Sequence, residues 1–367
     1  MYRLSLQLTH AKKATASTSE PAFNFRHQLK HTIIQVFGGS KSSQPQPIKL
    51  GSTDLINELL KITSKLVNVR ELYIDLRNLP PLYDLQPLFS SFWSSFGPKL
   101  HTLSVSGILE DFCTLINSNP ILGTLRELRV EFTDSSPFAR YAVQREANGA
   151  ILLTVLLPFV NSLAPHLLSL RLWSWASLDL SIFFSQLAPF PGLKALNVRT
   201  PFNTAFGDAS GLKGLICDSS STLQRVELRL NPTGLAVDPS TEEPLNRWLL
   251  ECISDERFFS KLQVLDIYPT NMAAGMEFLI GCIQRTSTNL VELIVRDRYL
   301  QDPEMRIIID AASSCRNLTS LRMNIRKLDV AFTDCLALKL PGINRLWLSI
   351  GDYSANDPNY LIVCITS

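Results

Sequence analysis

A short apolar motif recurs along this chain and predicts a series of β-strands. The motif is apolar-x-x-apolar-x-apolar, as in Leu193, Leu196 and Val198. Its last two apolar residues are two positions apart, so on a strand they point to one face while their neighbours point to the other. The ten copies begin at Val69, Leu100, Leu125, Leu167, Leu193, Leu223, Leu262, Leu290, Leu318 and Ile343.

Stretches with helical spacing lie between copies of the motif. Leu55 and Leu59 belong to an apolar stripe that follows Ser52, a favourable N-cap residue. Residues 303–315 carry a similar stripe, and Pro303 suits the first helical turn. Helices that alternate with short strands predict a parallel sheet.

The motif and its spacing resemble the leucine-rich repeat family over roughly residues 51–367. The shortest step, 25 residues, separates Leu100 from Leu125, and the longest, 42 residues, separates Leu125 from Leu167. Most steps are close to the family's period of ~20–29 residues. Where the family usually carries Asn or Cys, only Asn231 fits, which predicts irregular repeats. The resemblance implies an α/β leucine-rich-repeat solenoid, a horseshoe with a parallel sheet on the concave side and helices on the convex side.

The chain is predicted to have two regions. Residues 1–50 form an N-terminal extension with a strand at its start, a short amphipathic helix at 27–37 and a flexible linker. Residues 51–367 form the solenoid of about ten repeats. Insertions at 132–166 and 231–244 interrupt it; the first ends in an apolar helix, and the second is rich in turn residues.

The polar side of the predicted sheet carries a row of arginine and aromatic residues. Neighbouring parallel strands lie ~4.8 Å apart, so residues at equivalent positions of successive motifs line up across the sheet. Arginine and aromatic residues are enriched at binding hot spots. The candidate partner-binding residues on the concave face are Arg171, Trp173, Arg199, Arg229, Tyr268 and Arg296.

Acidic neighbours leave two interpretations of this row open. Glu227, Asp266 and Glu292 occupy nearby positions on the same side of the strands. The arginines therefore belong either to a partner-binding patch or to a lattice of salt bridges within the sheet.

No catalytic, cofactor-binding or metal-binding motif stands out. His27 and His31 have the spacing of a zinc-binding helix, but Gln28 stands where a metalloprotease carries its glutamate. Residues 38–42 contain two glycines and a lysine without the Gly-x-x-x-x-Gly-Lys frame of a phosphate-binding loop. The sequence therefore predicts a protein that is not an enzyme and has no cofactor or metal.

Composition narrows the expected location and partners. A hydrophobic content of 46% is typical of a folded protein, and a net charge of +2 favours neither nucleic acid nor membrane. Seven cysteines without a Cys-x-x-Cys pair indicate a reducing compartment. Residues 1–20 lack the apolar core of a signal peptide. We expect a monomer in the cytoplasm or nucleus, with no transmembrane segment.

The expected function is a non-catalytic protein–protein interaction scaffold that binds a partner through its concave face. The irregular repeats with helical crossovers also resemble fungal F-box/leucine-rich-repeat proteins. That resemblance implies an alternative, the substrate-recognition part of a ubiquitin ligase that binds an adaptor. Residues 1–50 carry neither the Leu-Pro-x-Glu opening nor the Trp-containing helix of an F-box. A hydrolase or transferase site within the insertions is a third hypothesis.

Overall fold

A computed structural model describes most of the chain, in two compact units, Met1–Leu167 and Leu168–Ser367. The described residues are 2–8, 32–37, 52–63, 65–66, 68–77, 84–133, 149–174, 178–200, 208–230, 239–268, 272–351 and 361–366. The predicted boundary near residue 50 lies outside these residues and stays a prediction. His27 and His31 also lie outside the described residues.

The described residues of the first unit form five paired strands with helices between them. In chain order its elements are β1 Tyr2–Leu8, β2 Thr32–Phe37, α1 Ser52–Thr63, β3 Val69–Asp75, α2 Gln86–Ser95, β4 Thr102–Gly107, α3 Leu109–Asn117, β5 Glu127–Phe132 and α4 Leu157–Leu163. Strands β1, β3, β4 and β5 pair in parallel, and β2 pairs antiparallel with β1. The predicted strand near the start of the chain is present as β1.

The second unit repeats one strand–helix unit several times. Its elements are β6 Ser169–Ser174, α5 Ser181–Ser185, β7 Ala195–Arg199, α6 Ser210–Asp218, β8 Arg225–Arg229, α7 Pro239–Ser254, β9 Val264–Ile267, α8 Gly275–Thr286, β10 Glu292–Leu300, α9 Asp302–Ala312, β11 Ser320–Ile325, α10 Val330–Lys339, β12 Arg345–Ile350 and β13 Leu361–Thr366. Strands β6 to β12 pair in parallel and in chain order, and β13 pairs antiparallel with β12.

All ten copies of the apolar motif lie at the strands β3 to β12. The second and third apolar residues of every copy are buried, and so is the first residue of every copy except Ile343, which is half-buried. Apolar helix residues such as Leu212 and Ile216 of α6 join them in the core. The predicted α/β leucine-rich-repeat fold, with parallel strands in chain order and helical crossovers, is confirmed.

Local signals explain where one well-defined helix begins. The backbone N–H of Gln301 donates to Glu304 Oε2 at 2.8 Å, and Pro303 occupies the first turn of α9. Arg298 Nη1 donates to the same carboxylate at 2.8 Å and holds it in place. The helix predicted after Pro303 is therefore confirmed with its cap.

Two predicted elements need correction. The sequence predicts the end of a helix at Thr32–Phe37, but these residues form strand β2. Four of its six residues are β-branched, and such side chains favour extended backbone over helix. The predicted loop at 231–244 ends earlier than expected, because α7 begins at Pro239 and contains Pro244. A proline at the first turn followed by acidic Glu242 favours this earlier start.

The apolar helix predicted at the end of the 132–166 insertion is present, with a wider turn at its centre. Leu152–Leu156 form a π-helical turn that leads into α4, and the Leu157 N–H donates to Leu152 O. Pro158 lacks an N–H and its ring crowds the carbonyl four residues back, at Thr154, which favours a widened turn at this point.

Candidate functional site

The candidate residues lie on the polar side of strands β6–β12, the side that the sequence predicts to be concave. We call this side the outer face, because its side chains point away from the apolar core. Side chains alternate along each strand, so Leu170 and Leu172 are buried while Arg171 and Trp173 lie outward and are half-buried. The same alternation holds in the next two strands, although Glu227 on the outer face of β8 is itself 7% exposed. The outer face is therefore a polar layer over the apolar core.

The strand register places five candidate residues side by side. We call Trp173, Arg199, Arg229, Tyr268 and Arg296 the arginine row. Trp173 pairs with Arg199, and Arg199 pairs with Arg229. Tyr268 and Arg296 each follow directly after a pair in the same register, Leu228 with Ile267 and Ile267 with Val295. The alignment expected from the motif is present in the second unit, and Arg171 lies two residues before Trp173.

Trp173 anchors one end of the row. The guanidinium carbons of Arg171 and Arg199 lie over its ring, 4.7 Å and 4.0 Å from the centroid. Its indole N–H donates to Asn197 Oδ1 at 2.6 Å. Cation–π contacts of this kind contribute about 0.5–1 kcal/mol at exposed sites and more when water is excluded. The ring is thus held in one orientation.

Glu227 connects this end to the next strand. Its carboxylate accepts hydrogen bonds from the Asn197 side-chain amide and from the Arg199 guanidinium, and it forms an ion pair with Arg199. Because the carboxylate is almost fully buried, these donors replace the water that a charged group would otherwise need. Part of the row is therefore a salt-bridge lattice within the sheet, as the second interpretation of the sequence expected.

Tyr268 lies between the other two arginines of the row. The Arg229 guanidinium carbon lies 4.8 Å from the Tyr268 ring centroid, and the tyrosine is 4% exposed. On the other side, Arg296 Nη2 donates to Asp266 Oδ2 at 3.3 Å. Burial raises the pKa of the Tyr268 phenol to about 12, and the negative charge of Asp266 contributes to the rise. Tyr268 therefore stays neutral at physiological pH.

Asp266 is a buried carboxylate at the centre of the outer face, 2% exposed. Burial raises its pKa to about 6, the nearby charge of Glu227 adds to the rise, and Arg296 opposes it. Its Oδ1 atom has no hydrogen-bond partner among the described residues. The Nε atoms of Arg229 and Arg296 are also buried without a partner. Three polar atoms on adjacent strands thus keep unused hydrogen-bonding capacity.

Replacing Asp266 with asparagine tests the cost of this buried charge. A raised pKa means that ionised Asp266 destabilises the fold above pH ~6 and that this penalty disappears as pH falls towards ~4. A rise from 3.8 to about 6 corresponds to about 3 kcal/mol. Asp266→Asn should therefore be more stable than the parent at neutral pH, by up to that amount, with a difference that vanishes in acid. Urea unfolding over this pH range measures it, and a difference independent of pH would contradict it.

The outer face carries a strong positive charge made only of arginine. Its outward positions on β6–β12 hold seven positive and three negative side chains, a net of +4. The positive residues are Arg171, Arg199, Arg225, Arg229, Arg296, Arg322 and Arg345, and the negative ones are Glu227, Asp266 and Glu292. Since the whole chain has a net charge of +2, this face is more basic than the rest of the protein.

The corresponding face of the first unit has the opposite charge. The outward positions of β3–β5 carry four negative side chains and one positive, a net of −3. Glu127 forms an ion pair with Arg129 at 2.7 Å, and Arg77 forms one with Asp75 at 2.7 Å. A positive face is therefore a property of the second unit and not of the repeat itself.

The sequence did not identify the roles of Asn197 and Glu227. Both occupy the outward position two residues before the row, where the register pairs them with each other. That position could have been read from the motif, but which side chains meet there depends on rotamers. A second aromatic contact lies further along the face, where the Arg322 guanidinium carbon is 4.3 Å from the ring centroid of half-exposed Trp347.

Other sites for chemistry are sparse in the part of the chain that the structure describes. It contains no group of three or more His, Cys, Asp and Glu side chains placed to hold a metal ion. Burial raises the pKa of the Cys217 thiol to about 11, so this thiol is not an activated nucleophile. Within the same residues, no helix has the length and apolar character needed to cross a bilayer. A crevice of about 240 Å³ between α5 and α6 has Asp218 as its one acidic or basic lining residue.

Comparison with known proteins gives only distant structural resemblances. No family model and no curated protein matches the chain. A leucine-rich repeat-containing protein from Legionella pneumophila, LegL7, is 15% identical over 80% of this chain and 87% of its own, with a TM-score of 0.45. A structure of the yeast Rad7 and Elc1 complex contains a chain that is 14% identical over 84% of this chain and 87% of its own, with a TM-score of 0.38. The fold assignment rests on the motif and strand order of this chain.

Proposed function

We propose that this protein is a non-catalytic interaction scaffold that binds a protein partner through the outer face of β6–β12. The observation that carries the proposal is the arginine row, where arginine and aromatic side chains of five adjacent strands line up on one surface. These residue types dominate the binding energy of protein interfaces.

The salt-bridge lattice supports this proposal. Glu227, Asn197 and Arg199 hold the Trp173 ring in place before any partner arrives. A pre-organised anchor loses less conformational entropy on binding than a flexible one. The side chain of Arg296 is meanwhile 39% exposed, and half-buried Arg229 forms no ion pair with a carboxylate among the described residues. The two interpretations of the sequence are therefore compatible, because one part of the row is structural support and the other part is available to a partner.

Affinity capture with a matched pair of variants tests the proposal. We expect a protein captured from cells by the parent chain to be lost with the double variant Trp173→Ala plus Arg229→Ala. Two hot-spot residues typically contribute at least ~2 kcal/mol each, so direct titration should show a loss of ~100-fold or more. The control, Ile182→Ala plus Arg247→Ala, changes exposed residues on α5 and α7 and should bind like the parent. Equal binding by both variants would rule out the outer face.

The ubiquitin-ligase alternative rests on the sequence resemblance alone. Its adaptor-binding segment would lie in residues 1–50, of which the structure describes only the two strands β1 and β2. Retention of a purified ligase adaptor by the full chain would support it, and absence of retention would leave the scaffold without that role.

We also propose that the protein acts as a monomer in the cytoplasm or nucleus. The cysteines Cys217, Cys252, Cys282 and Cys315 are buried thiols without a disulfide partner, which suits a reducing compartment.

A further inference from the structure

The positive charge of the outer face of the second unit favours some protein partners over others. Its net charge of +4 comes from seven arginines on six of its strands, whereas the corresponding face of the first unit is negative. Complementary charge raises the rate of association and excludes partners of like charge. An acidic partner therefore matches the face of the second unit and not that of the first.

Arg229 is the arginine of the row whose positive charge is least neutralised by carboxylates of the described residues. Its guanidinium contacts the Tyr268 ring, and it forms no ion pair with any carboxylate among the described residues. Its Nε atom is buried without a hydrogen-bond partner. A guanidinium without a carboxylate partner gains charge-assisted hydrogen bonds when a carboxylate is added beside it.

Arg296 approaches the same tyrosine from the opposite strand. Its Nη2 atom donates a hydrogen bond of 3.3 Å to Asp266 Oδ2, and its buried Nε atom has no partner among the residues that the structure describes. The two arginines and one aspartate give this cluster a net charge of +1 when Asp266 is ionised. The buried Tyr268 side chain lies between the two arginines and excludes water from the space it fills. Charge-assisted hydrogen bonds are stronger where water is excluded.

We propose that Arg229 and Arg296, on either side of Tyr268, bind carboxylate side chains of an acidic peptide segment of the partner. This inference rests on the proposed function and specifies its ligand. Arginine presents a planar set of donors that matches a carboxylate. The two arginines lie two strands apart, about 10 Å between backbones, and alternate side chains of an extended peptide are ~7 Å apart. Flexible arginine side chains can span the difference.

Nucleic acid fits this surface less well than an acidic peptide. Glu227 and Asp266 interrupt the positive charge at the middle of the face, where a continuous phosphate backbone would have to pass. Trp173 and Tyr268 are already covered by guanidinium groups and so offer less ring surface for base stacking. A peptide can place its acidic residues over the arginines and neutral residues over the two carboxylates.

Fluorescence anisotropy with labelled octaglutamate, octaglutamine and octauridylate tests the inference on the full chain. We expect octaglutamate to bind, octaglutamine not to bind, and octauridylate to bind more weakly than octaglutamate. Arg229→Gln and Arg296→Gln should each weaken octaglutamate binding by ~10-fold or more, the usual effect of losing a charge-assisted hydrogen bond. The control Arg247→Gln removes the same charge from an exposed position on α7, away from the outer face, and should change binding by less than ~2-fold.

Arg296→Gln removes the partner of buried Asp266, so a fold defect must be separated from a binding defect. The double variant Arg296→Gln plus Asp266→Asn removes both charges, and it should fold like the parent and still lose binding. Thermal unfolding followed by circular dichroism checks the fold of each variant before titration.

Three results would overturn the inference: no binding of octaglutamate, an equal loss with Arg247→Gln, or tighter binding of octauridylate than of octaglutamate. If one of these occurs while the captured protein still depends on Trp173 and Arg229, the interaction scaffold stands and only its acidic ligand is wrong. If the captured protein is also indifferent to the outer-face variant, the proposed function fails with it.

Discussion

Leu196→Ala should lower the free energy of unfolding by about 2–5 kcal/mol, the range for a leucine in a packed core. Leu196 is 1% exposed and lies between Leu170 and Val226 of the neighbouring strands. Loss of its side chain leaves a cavity shared by three repeats, and the flanking strands are held by their own pairing and can collapse into it only in part. Urea unfolding followed by circular dichroism measures the change.

A matched control comes from the same segment. Lys194 is exposed two residues earlier, so Lys194→Ala should change the unfolding free energy by no more than ~0.5 kcal/mol. A change that small for Leu196→Ala would mean that the inward side of the motif had been assigned to the wrong residues.

The second large effect is expected at Glu227. Its buried carboxylate accepts hydrogen bonds from Asn197 and from Arg199, and alanine would leave both donors without an acceptor. Removing one member of a buried ion pair typically costs about 3–5 kcal/mol, and because Arg199 keeps some contact with water we expect about 3 kcal/mol. Thermal and urea unfolding of Glu227→Ala give the value.

Glu227→Gln separates the loss of charge from the loss of the acceptor. The glutamine oxygen can still accept from one of the two donors, so this variant should be less destabilised than Glu227→Ala. Equal stability of the parent and Glu227→Ala would show that the lattice contributes nothing to the fold. Near-ultraviolet circular dichroism adds an independent readout, because Trp173 loses its fixed setting when Asn197 is released.

The strands and their inward residues were predictable because they depend on one local rule. Alternation with a period of two assigned Leu196 and Val198 to the core, and repetition of the motif placed neighbouring strands in register. Regular order across strands also made the arginine row predictable before any coordinates. Register alone decides which residues of parallel strands are neighbours.

Other features depend on competition that local patterns do not resolve. Thr32–Phe37 carries both a four-residue apolar spacing, which favours helix, and β-branched residues, which favour strand; pairing with β1 gives the strand. The hydrogen bond from Asn197 to Glu227 could not be predicted, because it depends on the orientations of two side chains on adjacent strands. The unpaired atoms of Arg229, Asp266 and Arg296 could not be inferred at all, because they depend on which neighbours fail to reach them.

Strand order that follows chain order has a consequence for how this protein tolerates change in length. Among the described residues, each repeat strand from β4 to β12 pairs, within its unit, only with the strand before it and the strand after it. Extra residues placed in the crossover between two strands therefore leave the pairing of all other strands undisturbed. Steps as long as 42 residues, between Leu125 and Leu167, coexist with steps of 25 for this reason. New segments with new surfaces could thus be added to this chain without redesigning its core.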